Sequence, residues 1–402
     1  MGVGAEDSGT SVEAAGRRRV EEIVHEYVDP VLGVKGWVTF SGTAQSLAVG
    51  GCRVEAGLTS ATLVELARVM RLKESILGLP IDGAKAGLDY PPDGPHMFQV
   101  LRRFISFLSP HLAERFSMGP DAGTSWQMLE RCAQEQGLLS IKMAIARAQG
   151  LAENDFLRRL KVLTAPVSGM PLSERRAGHG LAAAVSSAAR RLDVTHTLRV
   201  AIQGFGTLSR GALFSLSQTG CRVVAVADEH ACVIDEDGLD VATLLSLPPR
   251  APISQAGCGD LAQRSAVFGV PTDTLILAAC GDALTSTEVG ALSARCIAVG
   301  ANMGLSEEAE HAAMAKGIVV IPDFVAGAGG SASMDALFGP PKCPSADAVL
   351  QRTSERIQEV VTDLLHSALA HNISPRLAGL ALCRQQEASG GKPYGRTSST
   401  RS

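Results

Sequence analysis

Residues 203–209 read Gln-Gly-Phe-Gly-Thr-Leu-Ser, a glycine-rich turn whose spacing suits the binding of a diphosphate. The turn separates a predicted strand at 198–202 from a predicted helix at 208–217. Gly204 would permit the tight turn, and Gly206 would let the backbone approach a pyrophosphate at the positive end of the helix. Serine replaces the third glycine and is still small; a plain tight turn is the alternative interpretation. The predicted dinucleotide site contains Gly204, Phe205, Gly206, Thr207 and Leu208.

An acidic residue after the second predicted strand bears on the choice of dinucleotide. Asp228 lies 24 positions after Gly204 (228 minus 204), roughly where this type of site places an acid for the 2′-hydroxyl of the ribose. A carboxylate there would repel the 2′-phosphate of NADP, so the sequence favours NAD. NADP stays open, because Glu229 could take this position and because Asp228 could be a solvated turn residue.

Three charged residues in the first half could carry acid–base chemistry. Lys85 lies in a Gly- and Ala-rich stretch that contains no other charge after Asp82, which is unusual for a lysine at a solvated surface. Lys73 has charged neighbours in a predicted helix, and this pattern alone favours a position in solvent. Asp121 alone would be interpreted as a turn or helix-cap residue. When the three residues are considered one at a time, only Lys85 lies in a sequence context that argues against an ordinary surface position.

Two different patterns of elements would position these residues. Before Pro171 the sequence predicts a strand and helices, with a Pro- and Gly-rich interruption. The strand is expected at 36–40, the helices at 61–77, 97–108 and 126–147, and the interruption at 80–95. After Pro171, short apolar strands alternate with helices, which is typical of a parallel, doubly wound sheet. These strands are expected at 198–202, 222–227, 273–279, 296–299 and 317–321, and the helices at 180–192, 208–217 and 346–369.

The composition excludes several classes of function. The chain has 402 residues, 46% of them hydrophobic, which suits two globular domains. No apolar run approaches the ~20 residues that cross a bilayer, and no secretory leader is found. Nine cysteines without a C-x-x-C pair indicate reduced thiols, and a net charge of -4 provides no field for nucleic acid or anionic lipid. We therefore expect a cytoplasmic protein, with no metal site and no membrane contact, that binds a small molecule.

Seven short blocks resemble, in order, those of the glutamate/leucine/phenylalanine/valine dehydrogenase family. The resemblance covers about residues 36–383, and the order of the blocks is far more specific than any one block. The blocks are GGCR at 50–53, MRLK at 70–73, PIDGAKAG at 80–87, GPDAGT at 119–124, QGFG at 203–206, VGAN at 299–302, and the PD and AGG of 322–330.

The resemblance implies an NAD(P)-dependent oxidative deamination of an L-amino acid to a 2-oxo acid and ammonia. Lys73 would bind the substrate α-carboxylate, Lys85 would activate water, and Asp121 would exchange protons with the substrate nitrogen. These steps need groups that titrate near the working pH, and a second cation near a buried lysine helps to achieve this. The remaining implied contacts are Val49, Gly50, Gly51 and Met334 for the substrate, and Ala279 and Asn302 for the cofactor.

Two departures from the family pattern concern the substrate. Val49 and Met334 stand where members specific for glutamate resemble one another in carrying a lysine and a serine. An apolar pair cannot hold a buried carboxylate without a large desolvation cost, so the sequence favours leucine, valine or phenylalanine. Glutamate is the alternative, and it would need a cation near Val49 that the sequence does not locate.

Three further departures concern activity itself. Asp82 replaces a glycine, Ala177 stands near a usual threonine, and Gly327 replaces an asparagine. If Asp82 were buried beside Lys85, it would favour the protonated amine and oppose its use as a base. These changes leave a second hypothesis, that of a catalytically weakened relative that binds dinucleotide as a sensor or partner subunit.

The resemblance also divides the chain. It implies an α/β fold with a substrate and dimerisation domain at 20–180 and a doubly wound Rossmann domain at 181–340. Helices at 341–387 would pack back on the first domain, and 1–19 and 388–402 would be disordered tails. Members of the family form homo-oligomers, often hexamers, and the same is expected of this chain.

Overall fold

The computed structural model describes residues 20–45, 47–279 and 284–389. The predicted tail at 1–19 lies outside these residues, as does 390–402 of the second predicted tail. Two sheets with flanking helices account for the described residues, and this confirms the predicted α/β fold with a doubly wound C-terminal sheet. Within this part of the chain, no helix combines the length and the apolarity needed to cross a membrane.

The N-terminal sheet has five strands. They are β1 (Glu21–Val28), β2 (Lys35–Gly42), β3 (Ala48–Glu55), β4 (Asp82–Asp89) and β5 (Phe116–Pro120). Their order is β1-β2-β4-β3-β5, with β3 parallel to β4 and β5 and the other pairs antiparallel. The predicted interruption at 80–95 is therefore wrong in part, because it contains the central strand β4.

Five helices and a small two-stranded ribbon accompany this sheet. They are α1 (Ser60–Ile76), α2 (Met97–Glu114), α3 (Trp126–Gln134), α4 (Met143–Ala148), α5 (Glu153–Thr164), β6 (Pro166–Val167) and β7 (Met170–Pro171). The single helix expected at 126–147 is thus two helices. Helix α1 starts where the side chain of Thr59 accepts a hydrogen bond from Thr62 N, and it lies directly on the sheet because Gly83 leaves room for it. A Cβ at Gly83 would lie 2.0 Å from Ala67 O.

The two faces of the N-terminal sheet differ in chemistry. Side chains alternate between faces along a strand, and Gly51 is in register with Lys85 on one side and with Gly119 on the other. Val49, Gly51, Lys85 and Gly119 therefore share one face, which we call the cleft face. The opposite face packs on α2 through apolar side chains that include Cys52, Ala84, Ala86, Met118, Leu101 and Phe104.

The C-terminal sheet has seven strands. They are β8 (Arg199–Gln203), β9 (Arg222–Ala227), β10 (Ala231–Ile234), β11 (Asp260–Gln263), β12 (Thr274–Leu277), β13 (Cys296–Val299) and β14 (Val319–Ile321). Their order is β11-β10-β9-β8-β12-β13-β14, and the pairs from β9 to β14 are parallel. The antiparallel hairpin of β10 and β11 at one edge was not predicted.

Helices cover both faces of this sheet. They are α6 (Leu172–Arg191), α7 (Thr207–Ser217), α8 (Val241–Ser246), α9 (Ser286–Ala291), α10 (Glu307–Ala315), α11 (Asp323–Ala326), α12 (Gly329–Phe338), α13 (Ala346–His371) and α14 (Pro375–Ala388), with 3₁₀ turns at Ile253–Gln255 and Arg264–Phe268. One apolar core joins the sheet to α6, α7 and α13, and another joins it to α9 and α10. The expected division at residue 180 falls within α6.

The last helix returns to the N-terminal half. Ser75 Oγ in α1 donates a hydrogen bond of 3.0 Å to Cys383 O in α14, and Arg71 forms an ion pair with Glu387. Helix α1 is thereby held between its own sheet and the C-terminal helices. This matters for the site, because Lys73 belongs to α1.

Candidate active site

A buried ion pair lies on the cleft face. Lys85 is only 2% exposed, and its amine contacts Asp121 Oδ2 directly after β5. Asp121 Oδ1 accepts a hydrogen bond of 2.8 Å from Ala122 N, and Arg53 Nε lies 3.5 Å from Oδ2. Gly51 keeps this corner open, since a Cβ there would lie 3.2 Å from Asp121 Cβ. An amine and a carboxylate in contact form a pair that can pass a proton.

The carboxylate of this pair is strongly held in its charged form. Burial raises the pKa of Asp121, but the positive charges of Lys85 and Arg53 outweigh burial and hold the pKa well below its usual range. Asp121 therefore becomes a proton acceptor only when the charge around it changes, as it would if Lys85 lost its proton.

Lys73 reaches from α1 across to the C-terminal half. It is 6% exposed, and its amine donates a hydrogen bond of 2.5 Å to Asn302 Oδ1. Burial, together with the charge of Lys85, lowers the pKa of Lys73 to about 8 against the opposite effect of Asp323. The position in solvent that the helix pattern favoured is wrong. The structure instead brings Lys73, Lys85 and Asp121 into one electrostatic group.

Asp82 does not lie beside Lys85. Its carboxylate accepts hydrogen bonds from Thr43 N at 2.9 Å and Gln45 N at 2.7 Å, and it forms an ion pair of 2.8 Å with Arg115. Asp82 is therefore paired with Arg115 and with backbone N–H groups rather than with Lys85. The residue fastens the loop after β2 to the sheet.

We expect Asp82→Asn to lower the free energy of unfolding by about 2 to 3 kcal/mol, because it removes the charged partner of Arg115 and of two backbone N–H groups. Urea unfolding at a fixed protein concentration would measure this. Asp93→Asn is the matched control, since Asp93 is exposed. Equal stability of the two variants would contradict the structural role of Asp82.

Gly327 and Ala177 lie where helices and strands meet closely. A Cβ at Gly327 would lie 2.9 Å from Lys73 Nζ and 2.7 Å from Gly300 O, so Lys73 in this position leaves no room for a side chain. Ala177 lies in α6 at its contact with the start of α12, and its carbonyl oxygen would lie 2.7 Å from a Cβ at Gly329. Neither departure removes a residue of the charged group, and Asn302 supplies an amide to Lys73.

The glycine-rich turn has the shape that a dinucleotide needs. Gly204 has φ +105°, and a Cβ there would lie 2.8 Å from Ala279 N, so only glycine fits. At Gly206 the Cβ direction is open, with no atom within 4 Å. Ser209 Oγ, one turn into α7, is buried without a hydrogen-bond partner. The open space at Gly206 and the N-terminus of α7 together fit a diphosphate, whereas the buried hydroxyl of Ser209 faces the interior.

Two of the other residues predicted to bind cofactor, Ala279 and Asp228, border this turn, whereas Asn302 contacts Lys73. Ala279 follows β12 and donates a hydrogen bond of 3.3 Å to Gln203 Oε1, at the point where the sheet order reverses between β8 and β12. Asp228 accepts hydrogen bonds from the backbone N–H groups of His230, Ala231 and Ile253. Burial raises the pKa of Asp228, but these hydrogen bonds outweigh burial and lower it. Its carboxylate is therefore charged and already holds the surrounding loop.

Val49 and Met334 form one apolar wall. Both are buried, and they share an apolar cluster with Ile81 and with Ala144 and Ile145 of α4. The wall adjoins the cleft face, because Val49 lies two residues before Gly51.

Sequence reasoning missed a third buried lysine here. Lys142, at the start of α4, is 2% exposed, and a Cβ at Gly119 would lie 3.8 Å from its Nζ. Its sequence signal is the same as that of Lys85, a single charge in the apolar run Leu-Leu-Ser-Ile-Lys-Met-Ala-Ile-Ala at 138–146.

Among the described residues, no three His, Cys, Asp or Glu side chains are grouped to hold a metal ion.

Comparison with known proteins agrees with this arrangement. The family model described as Glutamate/Leucine/Phenylalanine/Valine dehydrogenase matches residues 169–376, and the model of the Glu/Leu/Phe/Val dehydrogenase dimerisation domain matches residues 20–136. Together the two models cover both halves of the fold.

Individual relatives carry related names. The chain is 28% identical over 292 residues to an NADP(+)-dependent glutamate dehydrogenase of Pyrobaculum calidifontis, a match that covers 70% of this chain and 66% of that protein. It is 25% identical over 301 residues to a glutamate dehydrogenase of Aeropyrum pernix, covering 73% and 69%. The matched region thus spans about two thirds of the length of these relatives.

A solved structure extends the comparison to most of the chain. The hetero-hexameric glutamate dehydrogenase of Thermus thermophilus, in its Leu-bound form, superposes with a TM-score of 0.72 and 25% identity, and the match covers 93% of this chain and 89% of that one. The two family models, the shared fold and the charged group on the cleft face agree, and the chain belongs to the glutamate/leucine/phenylalanine/valine dehydrogenase family.

Proposed function

We propose that the protein catalyses the reversible, NAD(P)-dependent oxidative deamination of an L-amino acid to a 2-oxo acid and ammonia. The observation that carries this proposal is the contact of Lys85 with Asp121 on the cleft face, next to the buried amine of Lys73. A pair that can pass a proton and a cation for a carboxylate are what the reaction requires beside a hydride acceptor.

The residues take the following roles in this proposal. Lys73 binds the α-carboxylate, and Asp121 accepts a proton from the substrate nitrogen. The residues from Gly204 to Leu208 would hold a dinucleotide that supplies the hydride acceptor, and loss of hydride from the α-carbon would leave an iminium ion on the substrate. Lys85 then removes a proton from water as its oxygen adds to the iminium carbon. Asp121 returns its proton to the nitrogen and takes the proton of the new hydroxyl group, so that ammonia leaves as the carbonyl forms. Gly51 places backbone rather than a side chain next to the substrate, whereas Gly50 is in register with Ala84, whose side chain lies on the opposite face.

The site between Gly204 and Leu208 fits either dinucleotide at its diphosphate. The carboxylate of Asp228 at the end of β9 favours NAD, since it would repel a 2′-phosphate. The name of the Pyrobaculum relative keeps NADP open.

We also propose that the protein is a homo-oligomer, because the edge strand β1 exposes Ile23, Val24 and Val28 within the region matched by the dimerisation-domain model.

The side chain of the substrate is less constrained than the reaction. The wall of Val49 and Met334 supports the predicted leucine-, valine- or phenylalanine-like substrate, and it would equally contact the methylene groups of a longer side chain. The buried amine of Lys142 supports an acidic side chain as the second candidate. The protein side chain that meets the end of the substrate side chain determines whether an apolar or an acidic amino acid binds better.

Reduction of NAD and, separately, of NADP by the purified protein tests the proposal, with leucine, valine, phenylalanine and glutamate as substrates at alkaline pH. We expect turnover with at least one amino acid. Tight dinucleotide binding without turnover on any of the four would favour the sensor or partner subunit, for which the changes at Ala177 and Gly327 are the supporting observation.

The charge of Lys73 predicts a pH dependence of substrate binding. The pKa of Lys73 is lowered to about 8, so the ammonium form is present below that pH and is lost above it. The Kd of 4-methyl-2-oxopentanoate, whose side chain carries no charge, should therefore rise above pH 8 by roughly tenfold for each pH unit. Calorimetry between pH 6.5 and pH 9.5 would measure it. Lys73→Arg should flatten this rise, and a Kd that is the same at both ends of the range would exclude Lys73 as the carboxylate ligand.

A further inference from the structure

Lys142 is a buried cation whose amine lacks a partner. Within residues 20–45, 47–279 and 284–389, its Nζ has no hydrogen bond and no ion pair, although the residue is only 2% exposed. Its nearest acidic neighbours are engaged elsewhere. The carboxylate of Glu130 accepts a hydrogen bond of 2.6 Å from Ser140 Oγ, and that of Glu74 accepts one from Ser331 Oγ. A largely buried amine without a partner favours a ligand that carries a negative charge.

The amine lies at the substrate side of the sheet. Gly119 is in register with Gly51, and Gly51 is in register with Lys85, so a Cβ at Gly119 points to the same face as Lys85. Lys142 Nζ lies 3.8 Å from that Cβ position, in the space that glycine leaves free. Lys85 on β4 and the amine of Lys142 therefore lie on the same face of the sheet, with Gly51 and Gly119 between them.

The apolar wall joins these two lysines. Val49 precedes Gly51 on β3, and Ala144 and Ile145, which follow Lys142 in α4, belong to the same apolar cluster as Val49 and Met334. A substrate whose α-carbon lies at Lys85 would lay its methylene groups along this wall. Its terminal group would then meet the amine of Lys142.

We propose that Lys142 is the specificity-determining residue of the pocket and that it binds the terminal carboxylate of an acidic amino acid with an aliphatic stem, such as glutamate. The proposal rests on the deamination proposed above. A leucine-like side chain would fill the same space but would leave the amine buried without a partner, whereas a carboxylate would supply one. The cation that Val49 does not provide comes instead from a different element, α4.

Arg176 strengthens the positive field at this end of the pocket. Its Nη1 donates hydrogen bonds of 2.7 Å to Gly330 O and 3.0 Å to Ser333 Oγ, which hold the guanidinium in place. Burial, together with the charge of Arg176, lowers the pKa of Lys142 to about 7 against the opposite effects of Glu130 and Glu74. A carboxylate that binds here would stabilise the ammonium form, so its binding should take up protons near neutral pH.

Lys142→Met tests the proposal, because methionine matches the stem of lysine but carries no charge. We expect the ratio of kcat/KM for glutamate to kcat/KM for leucine to fall by about 100-fold or more, with the loss mainly in KM for glutamate. Lys142→Arg is the control that keeps the charge, and it should retain part of the glutamate preference. Lys142→Met should fold at least as well as the parent protein, since it removes an unpaired buried charge.

Binding of 2-oxo acids provides a second test that needs no turnover. Calorimetry should show tighter binding of 2-oxoglutarate than of 4-methyl-2-oxopentanoate by the parent protein, with proton uptake at pH 7.5, and Lys142→Met should abolish both differences. Equal effects of the substitution on both ligands, or none on either, would overturn the role of Lys142 even if the protein deaminates leucine. Absence of turnover with every amino acid would overturn the proposed reaction, while the binding result would still decide the role of Lys142.

Discussion

Replacement of Lys85 by alanine should lower kcat by about 10³-fold, because it removes the only amine that contacts Asp121 among the described residues. The loss is expected in kcat, since Lys85 acts on water and on the proton of Asp121 rather than on the bound carboxylate. Steady-state kinetics with a saturating amino acid and dinucleotide would measure it. The fold should persist, because Arg53 stays near the Asp121 carboxylate.

The same substitution at an exposed lysine of the same sheet gives a matched control. Lys35→Ala removes an amine at the exposed start of β2 and should leave kcat and KM essentially as they are. Dinucleotide affinity should also be the same in Lys85→Ala and in the parent protein, since the glycine-rich turn lies in the other half of the fold. Retention of more than about a tenth of kcat in Lys85→Ala would mean that Lys85 does not take part in proton transfer.

Replacement of Gly204 by valine should raise the Kd for the dinucleotide by about 100-fold or more. The backbone there has φ +105°, which a β-branched residue strongly disfavours, and the added Cβ would lie 2.8 Å from Ala279 N. The turn must therefore move away from β12, and the helix N-terminus that would receive the diphosphate moves with it. Fluorescence titration with NAD and NADP would measure the change.

Two further glycines separate a lost ligand site from a damaged fold. Gly206→Ala adds a methyl group into open space at an ordinary φ of -86°, so the protein should keep its stability but bind dinucleotide about tenfold or more weakly. Gly220 lies outside the turn, with φ +74° and open space around its Cβ position. Because alanine is strained at this φ, Gly220→Ala should lower the free energy of unfolding by about 1 kcal/mol without affecting the Kd for the dinucleotide. Unaltered binding in both Gly204→Val and Gly206→Ala would place the dinucleotide elsewhere.

The doubly wound sheet was predictable because its strands are buried on both faces. Parallel strands such as β8, β9 and β13 are short apolar runs, and the turn after β8 follows a well-defined glycine spacing. Of the N-terminal strands, only β2 carries such a signal, and it was predicted at 36–40. β4 reads Asp-Gly-Ala-Lys-Ala-Gly-Leu-Asp, whose glycines serve the approach of α1 and whose lysine serves the site, so it resembles a loop.

The surroundings of individual charged residues were the least predictable part of the site. The burial of Lys73 depends on Asn302, which is 229 positions away, and that of Asp82 depends on Arg115. Such contacts come from the packing of α1 between two halves of the fold, which no local pattern describes. Lys142 was predictable in principle, since it is a solitary charge in an apolar run, as Lys85 is.

Transfer of the α-hydrogen of an amino acid to the dinucleotide tests the proposed function most directly. Glutamate and leucine labelled with deuterium at the α-carbon would each be incubated with the protein and with NAD or NADP, and the reduced dinucleotide would be examined by mass spectrometry alongside an assay for ammonia. We expect one deuterium atom in the reduced dinucleotide for each ammonia released, and formation of both products about 10³-fold more slowly with Lys85→Ala. Binding of the dinucleotide without transfer of deuterium from any amino acid would contradict the proposed reaction.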